Sequence, residues 1–390
     1  MKTSALIFAL SLALILISCG KKSENAVTVE VIDGIEYVHN TEAPANPLKT
    51  LSFEEELAIG GEDDEGNIIL FEAGFLIVDE NENIYITDRR DFNIKVFDKK
   101  GTYLRTIGAK GEGPGEFQYI GYIAFLPDER LLVMDFQARR TSLFEPSGEF
   151  ISSHQWTKWY SQLVLTMNSS YFVQERVREA GTDPFANQKL KIDEISLDGK
   201  EIRSFGNFVL AESRRVTQGG ITIGMSAPHS PRSIFAGDIR NQCIFHCVNN
   251  KYSIEVYDSH GNIFRTIDRP YDPLPYTRED KKEFLARSEG RPDNIKKLVN
   301  GMKFPVVKNI AARMLTDDQG NLWIRTNEVR DEGETRVIAY DVFDKDGDYD
   351  SKVWLEIHPE IILKGKMYNH YTDRETGYAF IKRYRMIWSD

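Results

Sequence analysis

The stretch from Gly74 to Phe117 constrains the fold most. Four short apolar runs alternate there with turn signals. Phe75–Val78 precedes the polar turn Asp79–Asn83, and Ile84–Thr87 precedes Asp88–Asn93. Ile94–Phe97 precedes Asp98–Gly101, and Tyr103–Ile107 stops at Gly108. Runs this short, rich in Ile, Val, Phe and Tyr, form strands and not helices. Four antiparallel strands in about 40 residues make one β-propeller blade.

The pattern recurs along the chain. A strand, a turn carrying glycine and a second strand repeat at Gly101, Gly148, Gly199, Gly261 and Gly347. A tight hairpin needs a positive φ, which glycine adopts freely. The strand after the turn repeats as Leu104-Arg105-Thr106-Ile107, Ile202-Arg203-Ser204-Phe205 and Phe264-Arg265-Thr266-Ile267. The earlier half repeats as Asn83–Asp88, Arg130–Asp135 and Asn321–Thr326. Ile361–Met386 supplies a sixth copy that lacks its outer strand. Leu48–Ile59 is expected to fill that place and close the ring, which leaves no sheet edge exposed.

The expected fold is therefore all-β: a six-bladed β-propeller over residues 48–390, with a short helical insertion between blades 4 and 5. A β-sandwich or two smaller β-domains is the alternative. The insertion is Tyr276–Gly301, which breaks the strand pattern. Thr277 is placed to cap a helix whose first turn holds Glu279 and Asp280, and Pro292 suits a second helix start.

The N-terminus stands apart from the ring. Lys2 is followed by the apolar run Ala5–Ile17, too short to span a bilayer comfortably. The sequence Leu16-Ile17-Ser18-Cys19 then resembles the bacterial lipobox. The resemblance implies a lipoprotein signal peptide at 1–18, cleavage before Cys19 and lipidation of Cys19. Gly20–Ala26 reads as a polar tether, and residues 19–47 as an N-terminal extension containing a hairpin around Asp33-Gly34 and a linker at Asn40–Pro47. The first blade, with its connector Gly111-Glu112-Gly113-Pro114-Gly115-Glu116-Phe117, resembles the NHL repeat. More broadly, the chain from Ile35 to Asp390 is similar to the TolB-like propeller lipoproteins of bacterial cell envelopes. That resemblance implies a lipid-anchored envelope protein, and Gly20 in place of an Asp points to the outer membrane.

Charge narrows the ligand. The formal net charge of −11 argues against nucleic acid, which needs a basic face. Cys243 and Cys247 are the other cysteines, in a run that reads as a strand. Residues four apart in a strand lie about 13 Å apart, beyond disulfide reach, so both read as small buried residues.

Strand order assigns the turns to two faces. Second-to-third turns and blade connections share one face. That face carries Arg89, Arg90, Arg139 and Arg140, together with Arg214, Arg215 and the helical insertion. Paired arginines at equivalent turns suit a carboxylate or an acidic sugar. They are the candidate ligand-binding residues. The rest of the chemistry is thin. Asp344–Asp350 has the composition of a calcium loop but lacks the distal Glu, so it reads as an ordinary turn. No cofactor is expected, with calcium the one ion left open. Gly219–Ser226 fits neither the dinucleotide nor the P-loop spacing. The expected function is an envelope-anchored protein whose propeller binds a small molecule, glycan or protein. A metal-dependent propeller hydrolase or lyase of the lactonase type is one alternative. A structural subunit of an envelope complex is another.

Overall fold

The structure, a computed structural model, describes residues 27–62, 65–66, 69–177, 189–211, 213–218, 221–287 and 289–389. The expected signal peptide at 1–18, Cys19 and the Gly219-Gly220 pair lie outside them. The chain forms a six-bladed propeller. In chain order the blades span residues 73–107, 120–155, 160–208, 233–268, 311–355 and 361–389. Within each blade the strands pair antiparallel in sequence order from the axis outward. The sixth takes its outermost strand, Thr50–Gly60, from the N-terminal side. We call the face with the second-to-third turns and the blade connections the upper face.

The core lies between the blades. Six buried clusters occur, one at each blade-to-blade contact. Tyr85, Ile94 and Val96 of the first blade, for example, pack on Ile120, Ile123 and Leu131 of the second. The strand second from the axis is covered on both faces, and all of Ile84–Asp88 and Leu131–Asp135 is buried. The outer strand Tyr103–Ile107 is mostly exposed.

The two recurring signatures of the sequence, glycine and arginine, meet across these contacts. Each hairpin glycine has positive φ, from +82° at Gly261 to +93° at Gly148, and sits on the outer strand of the preceding blade. A Cβ on Gly148 would lie 2.9 Å from Ile107 Cγ1, and one on Gly347 would lie 2.9 Å from Ile267. The outer-strand arginines reach the other way. Arg203 donates to the Ser259 carbonyl at 2.7 Å and Arg265 to the Lys345 carbonyl at 2.9 Å. Arg105 donates to the Pro146 carbonyl. Arg383, on the third strand of the sixth blade and not its outermost one, donates to Lys99 O of the first at 2.6 Å, so a related contact spans the closure.

Residues 28–49 do more than link. Thr28–Ile32 and Ile35–His39 form a hairpin, with Asp33 and Gly34 at φ 51° and 83°. Its second strand pairs parallel with Ile263–Asp268 and extends the fourth blade to six strands. The expected linker at Asn40–Pro47 is pinned to the fifth blade. Asn40 donates to the Gly347 carbonyl at 3.0 Å and accepts from the Tyr349 amide at 2.7 Å. Just beyond it Lys49 pairs with Asp350 at 2.8 Å.

The insertion forms two helices, α1 (Arg278–Ala286) and α2 (Asp293–Asn300), between the fourth and fifth blades. These become the fifth and sixth when the blade holding Thr50–Gly60 is counted first. Thr277 caps α1 in a capping box with Asp280. On α2, Ile295, Leu298 and Val299 are buried. The helix meets the hairpin Ser213–Gln218/Ile221–Ser226, which belongs to the preceding blade connection.

The glycine contact can be tested by substitution. Gly290→Ala meets nothing within 4 Å and pays only for its φ of +82°, about 1 kcal/mol. Gly148→Ala adds the clash with Ile107 and is expected to lose about 2–3 kcal/mol. Urea denaturation of both variants checks this. Equal losses would show that the blade contact contributes nothing.

Candidate functional site

The fifth blade departs from the others near the upper end of the channel. In its first two strands, Ala311–Thr316 and Leu322–Glu332, Arg313 stands directly opposite Arg325, which in turn pairs with Tyr340. Like charges directly opposite across a sheet are destabilising. Among the described residues neither guanidinium has an ion pair or side-chain hydrogen bond. Arg325 Nε is buried without a partner.

The surroundings respond to this positive charge. His358 Nδ1 lies 3.3 Å from the Tyr340 hydroxyl. Burial pushes the His358 pKa down, and Arg325 and Arg313 push it further the same way. Burial raises the Tyr340 phenol to about 12, against the pull of Arg325 and Arg313. Arg313 also reaches across the channel. Burial raises the pKa of Tyr122, on the second blade, and Arg313 opposes that rise.

A cavity of about 440 Å³ opens beside Arg313. Gln162, Gln174, Arg176, Arg232 and Ser233 also line it. Gln174 Nε2 donates to Gln162 Oε1 at 2.9 Å, which leaves the Gln162 amide nitrogen as a donor. Asn249 holds the Arg232 backbone in both directions at 3.0 Å. A second cavity of about 340 Å³ shares Arg232 and is walled by His229, Asn309 and Asn327. His229 Nδ1 accepts from the Asn309 amide at 3.0 Å, and burial followed by Lys308 lowers its pKa.

The larger cavity, about 560 Å³, lies at the opposite mouth and takes residues from all six blades. Its acids are largely spent. Asp79, Asp238 and Asp317 accept from the amides of their own turns. Glu80 pairs with Arg240 at 2.6 Å, and Asp318 accepts from the Lys364 amide. Size favours the lower mouth, but unspent charge favours the upper one. Recognition needs groups that are free to bind, so the upper mouth is the candidate site.

With this geometry in view, the likeness to known proteins can be stated. The family model DUF5128, described as a 6-bladed beta-propeller, matches residues 70–211. An exported protein from Bacteroides fragilis aligns at TM-score 0.52 and 12% identity, over 90% of this chain and 99% of that one. A member of the DUF4221 family from Bacteroides vulgatus also aligns at 0.52, with 10% identity over 87% and 99%. Virginiamycin B lyase from Staphylococcus aureus aligns at 0.41, with 10% identity over 87% and 100%. No curated protein matches the sequence. At these identities the likeness speaks for the fold alone.

The arginines singled out from sequence are placed differently from those of the cavity. Arg140 is buried and donates to the carbonyls of Glu112, Gly113 and Glu116. It holds the blade connector and is not free for a ligand. Arg90 stacks on Phe71 with 4.3 Å to the ring centre, and Arg89 lies 3.9 Å from Glu72. Arg139 stands over Trp159 at 5.9 Å. None of the four lines the 440 Å³ cavity. Arg214 and Arg215 sit on the strand Ser213–Gln218, and their side chains are outside the described set.

The remaining candidates have structural tasks. Asp344 accepts from the amides of Asp346 and Asp348, as a turn residue does. Cys243 and Cys247 are buried free thiols whose pKa burial raises to about 12. Among the described residues no group of three or more His, Cys, Asp or Glu is placed to hold a metal ion. Sequence reading missed Arg176, Arg232, Arg313 and Arg325. A signal existed for Arg325. It is the fourth residue of its strand, where the matching strands carry Thr87 and Met134.

His358 reports on the pair. A histidine with a lowered folded pKa binds fewer protons folded than unfolded. Its stabilising contribution is complete above the ordinary value of 6.5 and declines as pH falls through that value toward the folded one. Arg313→Gln should raise the His358 pKa in an NMR titration. An unchanged value would show that Arg313 does not act on it.

Proposed function

We propose that the protein is an extracytoplasmic, lipid-anchored binding propeller that holds an anionic ligand at the upper mouth of its channel. The observation that carries this is the facing pair Arg313 and Arg325, which lacks a counter-charge among the described residues. Leaving a buried charged donor unpaired costs about 1–3 kcal/mol. An anion supplies the missing partner through charge-assisted hydrogen bonds, for which the arginine fork is well shaped. Of the pair, Arg313 lines the 440 Å³ cavity, to which Arg176, Arg232 and the Gln162 amide add donors. A local cationic mouth on a chain of net charge −11 also steers small anions toward itself.

The lipobox at Leu16–Cys19 supports export and anchoring, and the Bacteroides fragilis relative is described as an exported protein. The described chain enters beside His39 and Asp268, at the upper end of the fourth blade. Eight residues lie between Cys19 and Thr28, a reach of roughly 30 Å when fully extended. An anchor on Cys19 would hold the domain that close to lipid, with the outer membrane as the proposed site.

Calorimetric titration with sulfate and with glucuronate tests the site. Arg313→Gln and Arg325→Gln should each weaken binding by about 10- to 100-fold. The unliganded variants should melt no lower than the parent, because substitution removes a like-charge contact. Absence of anion binding by the parent would overturn the reading. The anchor is tested separately: Cys19→Ala should move the protein from the membrane to the soluble fraction. A Cys19→Ala protein that still sediments with membranes would exclude lipidation as the anchor.

A further inference from the structure

We infer that the ligand of the upper mouth is an acidic oligosaccharide whose neutral rings stack along a file of aromatic side chains leading into it. This rests on the anion-binding reading of the mouth and extends it to a ligand class.

Five aromatic residues form the file. Phe75 and Tyr122 lie on the innermost strands of the first two blades, with ring centres 4.5 Å apart. Tyr122 is followed by Phe136 at 5.9 Å, and Phe136 by Trp159 and Tyr119, each at 6.5 Å. Tyr119, Phe136 and Trp159 belong to upper-face connections and turns. Phe75, Tyr122 and Phe136 are half-buried against the core clusters, and the outermost two are open, with Trp159 51% and Tyr119 44% exposed. Elsewhere on this face rings are taken inward, as Trp156 is by its hydrogen bond to Thr141.

The file has a direction. Its outer end is Trp159, with Arg139 standing over the indole at 5.9 Å. Its inner end is Phe75 with Tyr122, and Tyr122, opposite Met134, holds on the second blade's innermost strand the register position that Arg313, opposite Arg325, holds on the fifth. A ligand lying along it meets flat apolar faces first and unpaired positive charge last. Sugar rings have C–H faces that stack on Trp and Tyr, while their hydroxyls stay in water or take polar groups at the edge. A carboxylate or sulfate on the leading sugar would then meet the arginines. A flat apolar partner surface would leave the unpaired charges unanswered, and a small inorganic anion would leave the open rings unused. A cavity of about 440 Å³ has room for a sugar unit at its end.

Two probe classes separate this proposal from the reading beneath it. Free glucuronate tests the cationic mouth alone. Four-sugar fragments of uronate-containing polysaccharides test mouth and file together: oligogalacturonate, oligoalginate, and alternating glucuronate and N-acetylglucosamine. The best of these fragments should bind at least about tenfold more tightly than free glucuronate. Trp159→Ala should abolish that gain and leave glucuronate binding unchanged. Trp159→Phe should keep part of it, and Arg313→Gln should weaken both probes. Fragments that bind no better than glucuronate, or a gain that survives Trp159→Ala, would overturn the sugar file while the anion site stands. Failure of glucuronate and every fragment to bind the parent protein would overturn both.

Discussion

The contact between an outer-strand arginine and the next blade's hairpin is what the ring depends on. A blade alone buries only half of each cluster it shares, so no blade has a complete core. Registration between neighbours must therefore be set by something more directional than apolar burial. The hairpin glycine lets the turn lie flat on the preceding outer strand, and that strand's arginine binds a carbonyl of the same turn. Adding a Cβ to the glycine would push the turn away. Removing the arginine would leave a carbonyl without its charged donor. The pair fixes both distance and height, and Arg383, from the third strand of the last blade, makes a related contact with the first.

This explains why the fold was legible. The glycine recurs in the hairpins of the first five blades and the arginine on the outer strands of the first, third and fourth, so both stand in the sequence as visible landmarks. Asp88 and Asp135 recur for a similar reason, since each ties two amides of the preceding blade connection. Residues 28–49 were harder to read. Asn40 and Lys49 gain their meaning only from Gly347 and Asp350, some 300 positions away. Nothing local in Asn40–Pro47 distinguishes a pinned strap from a loose linker.

The site was less legible because function breaks the repeat. Arginine pairs at the second-to-third turns drew attention, yet these turns mostly use their arginines locally. Arg140 serves three carbonyls, and Arg90 covers Phe71. A charge that is frequent and near the surface is easily matched by its own surroundings. Arg325 is informative for the opposite reason. It replaces Thr87 or Met134 at an equivalent point in the buried first part of its strand, where no repeated contact requires a charge. The departure from the pattern was the signal, and a search for conserved-looking turns passes over it.

The balance of charge around that departure limits what can complete it. Tyr340 pairs with Arg325 across the sheet and His358 lies beside Tyr340, and neither supplies a negative charge near neutrality. Burial holds the phenol protonated, and burial together with the two arginines holds the imidazole neutral. Water can solvate Arg313, which is exposed, but the dry Nε of Arg325 has no such recourse. Desolvation weakens an isolated charge's environment more than it weakens a paired one, because a partner's attraction grows as the dielectric falls. Arg325 is thus the member of the pair that water serves least, and it stands behind Arg313, outside the lining of the 440 Å³ cavity. Under the proposed reading, a preference for a charged ligand would follow from the blade itself, and selection among charged ligands from the residues in front of it.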